Sequence, residues 1–359
     1  MKKILISAKN LKIGGIEKSL INLINELLEQ KYKITLVLEE RKGELLPEVK
    51  EKIKIIKYSP CKSKFKLFRK TINLIKRIMF IIIYGRRFNT SISFATYSKP
   101  GSFVARMASK NSCLWCHADY LSLFKEDKEK MEEFFDELHY EKFSKIVFVS
   151  KIAVENFKKV FPELKNVYYC NNLIDYQKIY EQTREIIELR YSKKQVTFLN
   201  VGRHDEDQKK LSRIIKAAAR LKEDKYNFRI IFIGDGKDTE KYKRLVRVYN
   251  LGDNIIFEGA KVNPYPYYKI SDCVVISSDY EGYPVVFLES FILNKPIITT
   301  NISDYKDVQQ GRGIVVQKTV NEIYLAMKRF IEEGFKITKS FNVVNYNEEV
   351  KEQLKEIIY

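Results

Sequence analysis

Residues 273–289 read CVVISSDYEGYPVVFLE. A short apolar run, 273–278, gives way to a polar turn, and Pro284 then suits the first turn of a helix. This strand–turn–helix step recurs through most of the chain. Before it come apolar runs at 196–201, 228–234 and 255–259; after it come 296–300 and 313–316, with helical spacing between them. The first half has the same rhythm, with strand-like runs at 3–8, 34–38, 53–56, 91–95, 112–116 and 146–150 and a helical pattern over 16–28. Such alternation predicts α/β architecture, with parallel sheets covered by helices on both faces. The pattern pauses at 174–194, a polar helical stretch, and restarts at Val196. A length of 359 residues suits two domains. The expected layout is one domain over 1–175, a linker region over 176–194 and a second domain over 195–340. The closing segment 341–359 carries an amphipathic helix over 347–358, with the first domain as its candidate packing partner.

Net charge is +19, and residues 1–180 hold +15 of it. An anionic partner for the first half is expected: nucleic acid, anionic lipid or a phosphorylated acceptor. From Lys50 to Arg87 there are 13 basic residues and one acid, Glu51. Phe65, Leu67, Phe68, Ile72, Leu74, Ile75, Met79 and Phe80 are interleaved there with Lys66, Arg69, Lys70, Lys76 and Arg77. Lipid surface, nucleic acid, and a solvated helix with its apolar side in the core are the competing readings, and the composition favours lipid. Met1-Lys2-Lys3 opens like a signal peptide, but the apolar run behind it is too short. The run 78–84 is likewise far short of a membrane span. Five cysteines without framework spacing fit reduced thiols, so a cytoplasmic protein is expected.

Ligands of open parallel sheets gather at the carboxyl ends of strands, often on helix N-termini. Four junctions here carry suitable residues. Gly14-Gly15-Ile16-Glu17 lets backbone approach an anion, or is a plain turn; it lacks the G-x-G-x-x-G of a nicotinamide site. Val201-Gly202-Arg203, with Lys209 opening a helix after a polar loop, offers a diphosphate clamp or two solvated cations. In Glu281-Gly282-Tyr283-Pro284-Val285-Val286-Phe287-Leu288-Glu289, the amides of Val285 and Val286 would point above the strand end. Ile233-Gly234-Asp235-Gly236 reads as a structural turn.

The words at these junctions resemble glycosyltransferase family 4. Glu281 to Glu289 looks like its E-x(7)-E motif. Gly202-Arg203 with Lys209 resembles its phosphate clamp, Phe257-Glu258-Gly259 its F-x-G strand end, and Asp272 to Ser278 its D-x-x-x-x-x-S strand. Gly14-Gly15-Ile16-Glu17, Trp115-Cys116-His117-Ala118-Asp119 and Asn171-Asn172-Leu173-Ile174-Asp175 match further words in the right order. The resemblance implies two Rossmann-like domains facing a central cleft, the GT-B fold, and retaining transfer from a nucleotide diphosphate-sugar. It implies that Arg203 and Lys209 hold the diphosphate and that Glu289 accepts from the ribose. Glu281 and His117 would meet the sugar as the catalytic pair, and Gly15 would approach the diphosphate or sugar. Gly259, Gly282, Tyr283, Pro284, Val285 and Val286 complete the donor site. The chain departs from the pattern at Lys210, where glycine is usual, and at Asp307, the acid of a variant segment 303–310.

Two other words compete and lose. Cys113-Leu114-Trp115-Cys116-His117 spells C-x-x-C-H, but haem attachment needs export, and buried packing is the plainer reading. Asp205-Glu206-Asp207 has D-x-D form but reads as a solvated loop, since fixed cations and a helix N-terminus can neutralise a leaving diphosphate without metal. The expected protein is therefore a retaining hexose or N-acetylhexosamine transferase without cofactor or metal. Its donor is a nucleotide-sugar, by implication UDP-linked. Its acceptor is a glycan or lipid-linked glycan of a surface polysaccharide, reached from the inner membrane face. A GT-B epimerase, a phosphorylase-like enzyme and a basic RNA-binding protein are the alternatives.

Overall fold

A computed structural model describes residues 1–188 and 195–358. The chain divides into two compact units, one of Met1–Leu173 with Asn347–Tyr359, the other of Ile174–Tyr346.

The first unit is built on a sheet of β1 (Lys3–Ala8), β2 (Lys33–Leu38), β3 (Lys54–Lys57), β4 (Thr90–Ser93), β5 (Ser112–Cys116), β6 (Lys145–Phe148) and β7 (Val167–Tyr169), in the order β3-β2-β1-β4-β5-β6-β7. The second is built on β8 (Val196–Val201), β9 (Phe228–Ile233), β10 (Ile255–Gly259), β11 (Cys273–Ile276), β12 (Ile297–Thr300) and β13 (Gly313–Val316), in the order β10-β9-β8-β11-β12-β13. Every pairing in both sheets is parallel. The central strands are apolar without alternation because helices cover both faces. In β1 and β2, for instance, all residues but the first are buried. The strand order reverses at β1/β4 and at β8/β11, the switch points where such sheets bind ligands.

The structure corrects several expectations. β7 was not anticipated: it is three residues long and mostly half-buried, too short for a periodic signal. Among the described residues of 174–194 there is one short helix, Tyr176–Gln182, which the Asp175 carboxylate caps by accepting from Lys178 N at 3.0 Å. The remainder of the expected linker, 189–194, lies outside the described residues. The boundary falls between Leu173 and Ile174, before the expected 175.

The last helix, Val343–Ile358, begins earlier than its amphipathic pattern. Its residues 347–358 belong to the first unit. Val350, Leu354, Ile357 and Ile358 are buried, and Ile358 O accepts from Thr90 Oγ1 at 2.9 Å. Lys145 Nζ donates to Glu356 O and Ile357 O, both at 2.7 Å, which satisfies carbonyls that a helix end leaves open.

The basic stretch forms a helix, Lys66–Tyr84, and its apolar side is not in the core. Phe80 is its one buried residue. Phe80 packs with Tyr58, Tyr84 and Phe103. Polar residues on the same side of the helix bind its own unit, although the basic side chains stay exposed. Asn73 binds the backbone of Cys61, Lys76 Nζ donates to Ser59 O at 2.9 Å, Arg69 donates to Ser63 O, and Arg77 lies over the Phe103 ring. Leu67, Phe68, Leu74, Ile75, Ile78, Met79, Ile81, Ile82 and Ile83 are left exposed, Leu67 at 79% and Ile82 at 65%. At 100° per residue these nine fall on one arc wider than half the helix. The helix is amphipathic the wrong way round for a soluble surface.

Candidate functional site

In the second unit, the residues singled out at the ends of β8 and β11 meet at the switch point. Lys209 Nζ lies 2.6 Å from Glu281 Oε1. Ser278 Oγ donates to the same oxygen at 2.7 Å, and Gln208 Nε2 approaches Glu281 Oε2 at 3.3 Å. The lysine side chain is 21% exposed and the glutamate 9%, so the pair is largely withdrawn from water. Such a pair is held by its additional hydrogen bonds, because attraction alone barely offsets desolvation. The loops carrying it are stitched together. Ser277 Oγ donates to Lys209 O and Lys210 O, and Asp279 N to Gln208 O. Arg213 grips both Ser277 O and Asp279.

Lys209 does not open a helix: the helix is Leu211–Glu223, and Lys210 precedes it with φ +51, in the left-handed region. That conformation is why a glycine would be natural at 210. The loop keeps its path despite the lysine. Arg203 stands apart from the pair. Its side chain is 66% exposed, and Nη2 donates to Gln208 Oε1 at 2.9 Å. Gln208 therefore touches both Arg203 and Glu281, a link the sequence did not reveal.

Asp205-Glu206-Asp207 is not a solvated triplet. Asp207 is open, but Asp205 and Glu206 are mostly covered. The Glu206 carboxylate accepts from Ser212 Oγ, and its amide donates to Asp238 Oδ2 at 2.8 Å. Behind it the β8 and β9 loops are laced by His204 N to Asp235 O and Asp238 N to His204 O. A Cβ at Gly234 would lie 1.8 Å from Gly202 O, and one at Gly236 2.3 Å from His204 O. Those two glycines serve close loop packing.

Pro284 is the N-cap of the helix Val285–Ile292, one position earlier than anticipated. Phe287 N bonds back to Pro284 O at 2.9 Å, so Val285 and Val286 present their amides at the helix start, where intrahelical acceptors are lacking. Gly282 is buried beside Glu281. Tyr283 Oη donates to Asp307 Oδ2 at 2.8 Å, which ties the variant segment to the Glu281 loop. Ser303 Oγ adds a bond to Glu281 O. Glu289, one turn into the helix, is buried and accepts from Tyr265 and Tyr268. Gly259 ends β10 with φ +71 and nothing near its missing side chain. Asp272, by contrast, is structural: Oδ2 accepts from Thr197 N at 2.8 Å.

In the first unit, Gly15 begins the helix Gly15–Glu29 and Gly14 caps it in extended conformation. His117 follows β5. Its ring lies 4.4 Å from that of Phe94 and hydrogen-bonds the Phe94 carbonyl, yet Nε2 is closed off from solvent without a partner. Desolvation lowers its pKa from 6.5 to about 3, only partly countered by the Phe94 bond. The ring is therefore neutral, with Nδ1–H on Phe94 and an enclosed Nε2 that keeps its acceptor lone pair. Cys113 and Cys116 lie buried in β5 as free thiols, and burial pushes Cys113 up to about 12. They are packing residues.

Two parallel α/β units carry ligand-type residues at their strand ends, and both sequence and structure comparisons find similar proteins. Residues 181–349 match the family model of glycosyl transferases group 1. An uncharacterized glycosyltransferase of Methanocaldococcus jannaschii is 26% identical over 79% of this chain and 71% of its own. The N-acetylgalactosamine-N,N'-diacetylbacillosaminyl-diphospho-undecaprenol 4-alpha-N-acetylgalactosaminyltransferase of Campylobacter jejuni is 26% identical over 52% of this chain and 49% of its own. Anabaena HepE, solved with UDP and glucose, superposes with a TM-score of 0.75 over 99% of this chain and 100% of its own, at 16% identity. The fold is thus that of GT-B structures such as HepE, and the matched residues of the second unit are similar to group 1 glycosyl transferases.

Proposed function

We propose that the protein is a retaining, family 4-type transferase that moves a hexose or N-acetylhexosamine from a UDP-sugar to a glycan or lipid-linked acceptor in surface polysaccharide synthesis. The observation that carries this reading is the Lys209–Glu281 pair at the β8/β11 switch point, beside the amides of Val285 and Val286. Lys209, those amides and the exposed charge of Arg203 oppose the negative charge that grows on a departing diphosphate. Glu281, the first acid of the E-x(7)-E word, meets the donor sugar once Lys209 turns to phosphate. His117 accepts from a sugar hydroxyl through Nε2. Glu289 receives the ribose, with Gly259 at the base and Gly282, Tyr283 and Pro284 shaping the loop; Gly15, at a helix start of the first unit, remains a candidate contact of the diphosphate or sugar. No metal takes part. UDP-bound HepE and the undecaprenol-linked acceptor in the Campylobacter enzyme's name support donor and acceptor class.

The test is a screen of UDP- and GDP-hexoses for hydrolysis and for a rise in melting temperature, with the product's anomeric configuration read by NMR. A UDP-hexose that is turned over with retention, in EDTA, is the expected result. Inversion sinks the mechanism. Stabilisation by RNA alone favours the non-catalytic alternative, and an altered free nucleotide-sugar favours an epimerase.

The acceptor reaches the first unit from an anionic bilayer on which the helix Lys66–Tyr84 lies, at the inner face of the cell membrane. No described helix is long and apolar enough to cross a membrane. The exposed apolar arc supports partial insertion, and the surrounding bases support anionic lipid over a neutral partner surface. Because Arg69, Lys76 and Arg77 hold the helix to its own unit, burial of the arc leads and charge assists.

A further inference from the structure

Glu289 is braced on both sides. Tyr265 Oη donates to Oε1 at 3.1 Å, and Tyr268 Oη donates to Oε2 at 2.7 Å. All three side chains are buried. The tyrosines stand on one short helix, Tyr265–Ile270. Its remaining tyrosine, Tyr267, donates instead to Glu258 Oε2 at 2.8 Å, at the end of β10. One short element therefore fixes Glu289 on one side and the β10 strand end on the other.

The bracing has a chemical consequence. A glutamate has a broad terminal torsion, so its carboxylate plane is ordinarily loose. One donor on each oxygen fixes that plane. Two hydroxyls on adjacent carbons can then donate one to each oxygen, a bidentate arrangement that depends on the acceptor's orientation. A ligand lacking one hydroxyl forfeits one of two hydrogen bonds to a charged, buried carboxylate, which lowers its affinity by about tenfold or more.

We propose that Tyr268 and Tyr265 are positioning residues that hold Glu289 for a vicinal diol, so that the site selects a ribonucleoside diphosphate over its 2′-deoxy counterpart. This rests on the reading that Glu289 meets the donor's ribose. Tyr268, with the shorter bond, carries the larger share.

The full chain is titrated calorimetrically with UDP and with 2′-deoxy-UDP, and the ratio of the two affinities is read for each variant. The wild type prefers UDP by about tenfold or more. Tyr268→Phe keeps the ring and its packing but removes the hydroxyl. It lowers the ratio at least about threefold while affinity for the deoxy ligand hardly moves. Tyr265→Phe does the same more weakly, and Glu289→Gln abolishes the preference. A general loosening of the fold affects both ligands and cancels in the ratio. If Tyr268→Phe and Tyr265→Phe keep the wild-type ratio while Glu289→Gln loses it, the positioning role is wrong and the ribose reading stands. If Glu289→Gln also keeps the ratio, or the wild type shows no preference, both fall.

Discussion

Lys209 and Arg203 were read from the sequence as one clamp, and the structure makes them unequal. Lys209 is mostly buried and bonded to Glu281, whereas Arg203 is largely in solvent, bonded to Gln208 and loosely paired with Asp205. A charge-assisted bond made out of water outweighs one made in it. Lys209→Ala should therefore weaken UDP binding by about tenfold or more, and Arg203→Ala by clearly less. Lys209→Ala also strands a buried carboxylate, so its stability should fall, at the lower end of the roughly 3–5 kcal/mol seen for broken buried pairs. UDP titration and chemical denaturation of both variants check this; equal affinities for the two would refute the ranking. At His117, burial depresses the pKa below its unfolded value of about 6.5. The unfolded chain binds the proton first, so the stabilisation is complete above pH 6.5 and is lost as pH falls toward 3. His117→Gln should flatten the melting temperature against pH across that window. Superimposable profiles would show that the ring is not held neutral. Residue types at strand ends were legible because chemistry confines them there. Gln208 and the two tyrosines were not, since their bonds join positions far apart in sequence without a local pattern.

Elements with strong periodicity were read nearly to the residue: the expected runs at 3–8, 112–116, 196–201, 255–259 and 313–316 coincide with strands. Short or half-buried ones such as β7 were not, because three residues carry no period. The helix Lys66–Tyr84 shows a subtler limit. Its amphipathicity was visible, but periodicity cannot say which face turns inward. That orientation makes the exposed apolar arc the surface to test. Leu74, Ile78 and Ile82 replaced together by Ser should abolish flotation with anionic vesicles in low and high salt alike. Gln at Lys66, Arg69, Lys70, Lys76 and Arg77 should weaken flotation and reduce its salt sensitivity, since each base near the surface adds at most about 1 kcal/mol. Screening acts over roughly 8–10 Å and leaves the apolar term intact. Wild-type protein that ignores anionic vesicles, or a serine variant that floats unchanged, would remove the membrane assignment.

At the scale of the whole molecule, alternation of strand and helix was enough to foresee two parallel α/β units, because that pattern has few packing solutions. The exact division was harder: at 173/174 the chain changes unit within a run of buried residues, without a compositional break. The return of residues 347–358 to the first unit has an energetic meaning. Val350, Leu354, Ile357 and Ile358 are each nearly or wholly inaccessible. At about 1.5–3 kcal/mol per buried aliphatic side chain, their combined loss rivals the roughly 5–15 kcal/mol that holds a domain together. Deleting 347–359 should unfold the first unit while the second still melts cooperatively, as calorimetry would show. Retention of both transitions would mean that the helix is dispensable.

The same closing helix sets an order on the protein's making. Because the first unit takes its strands from residues before 174 and a helix from residues after 346, the second unit is in effect an insertion within it. On the ribosome the second unit can complete its core while the first is still waiting for residues 347–358. A chain that stops before residue 347 therefore holds a folded second unit beside an unfinished first one whose apolar surface is open to proteases and chaperones.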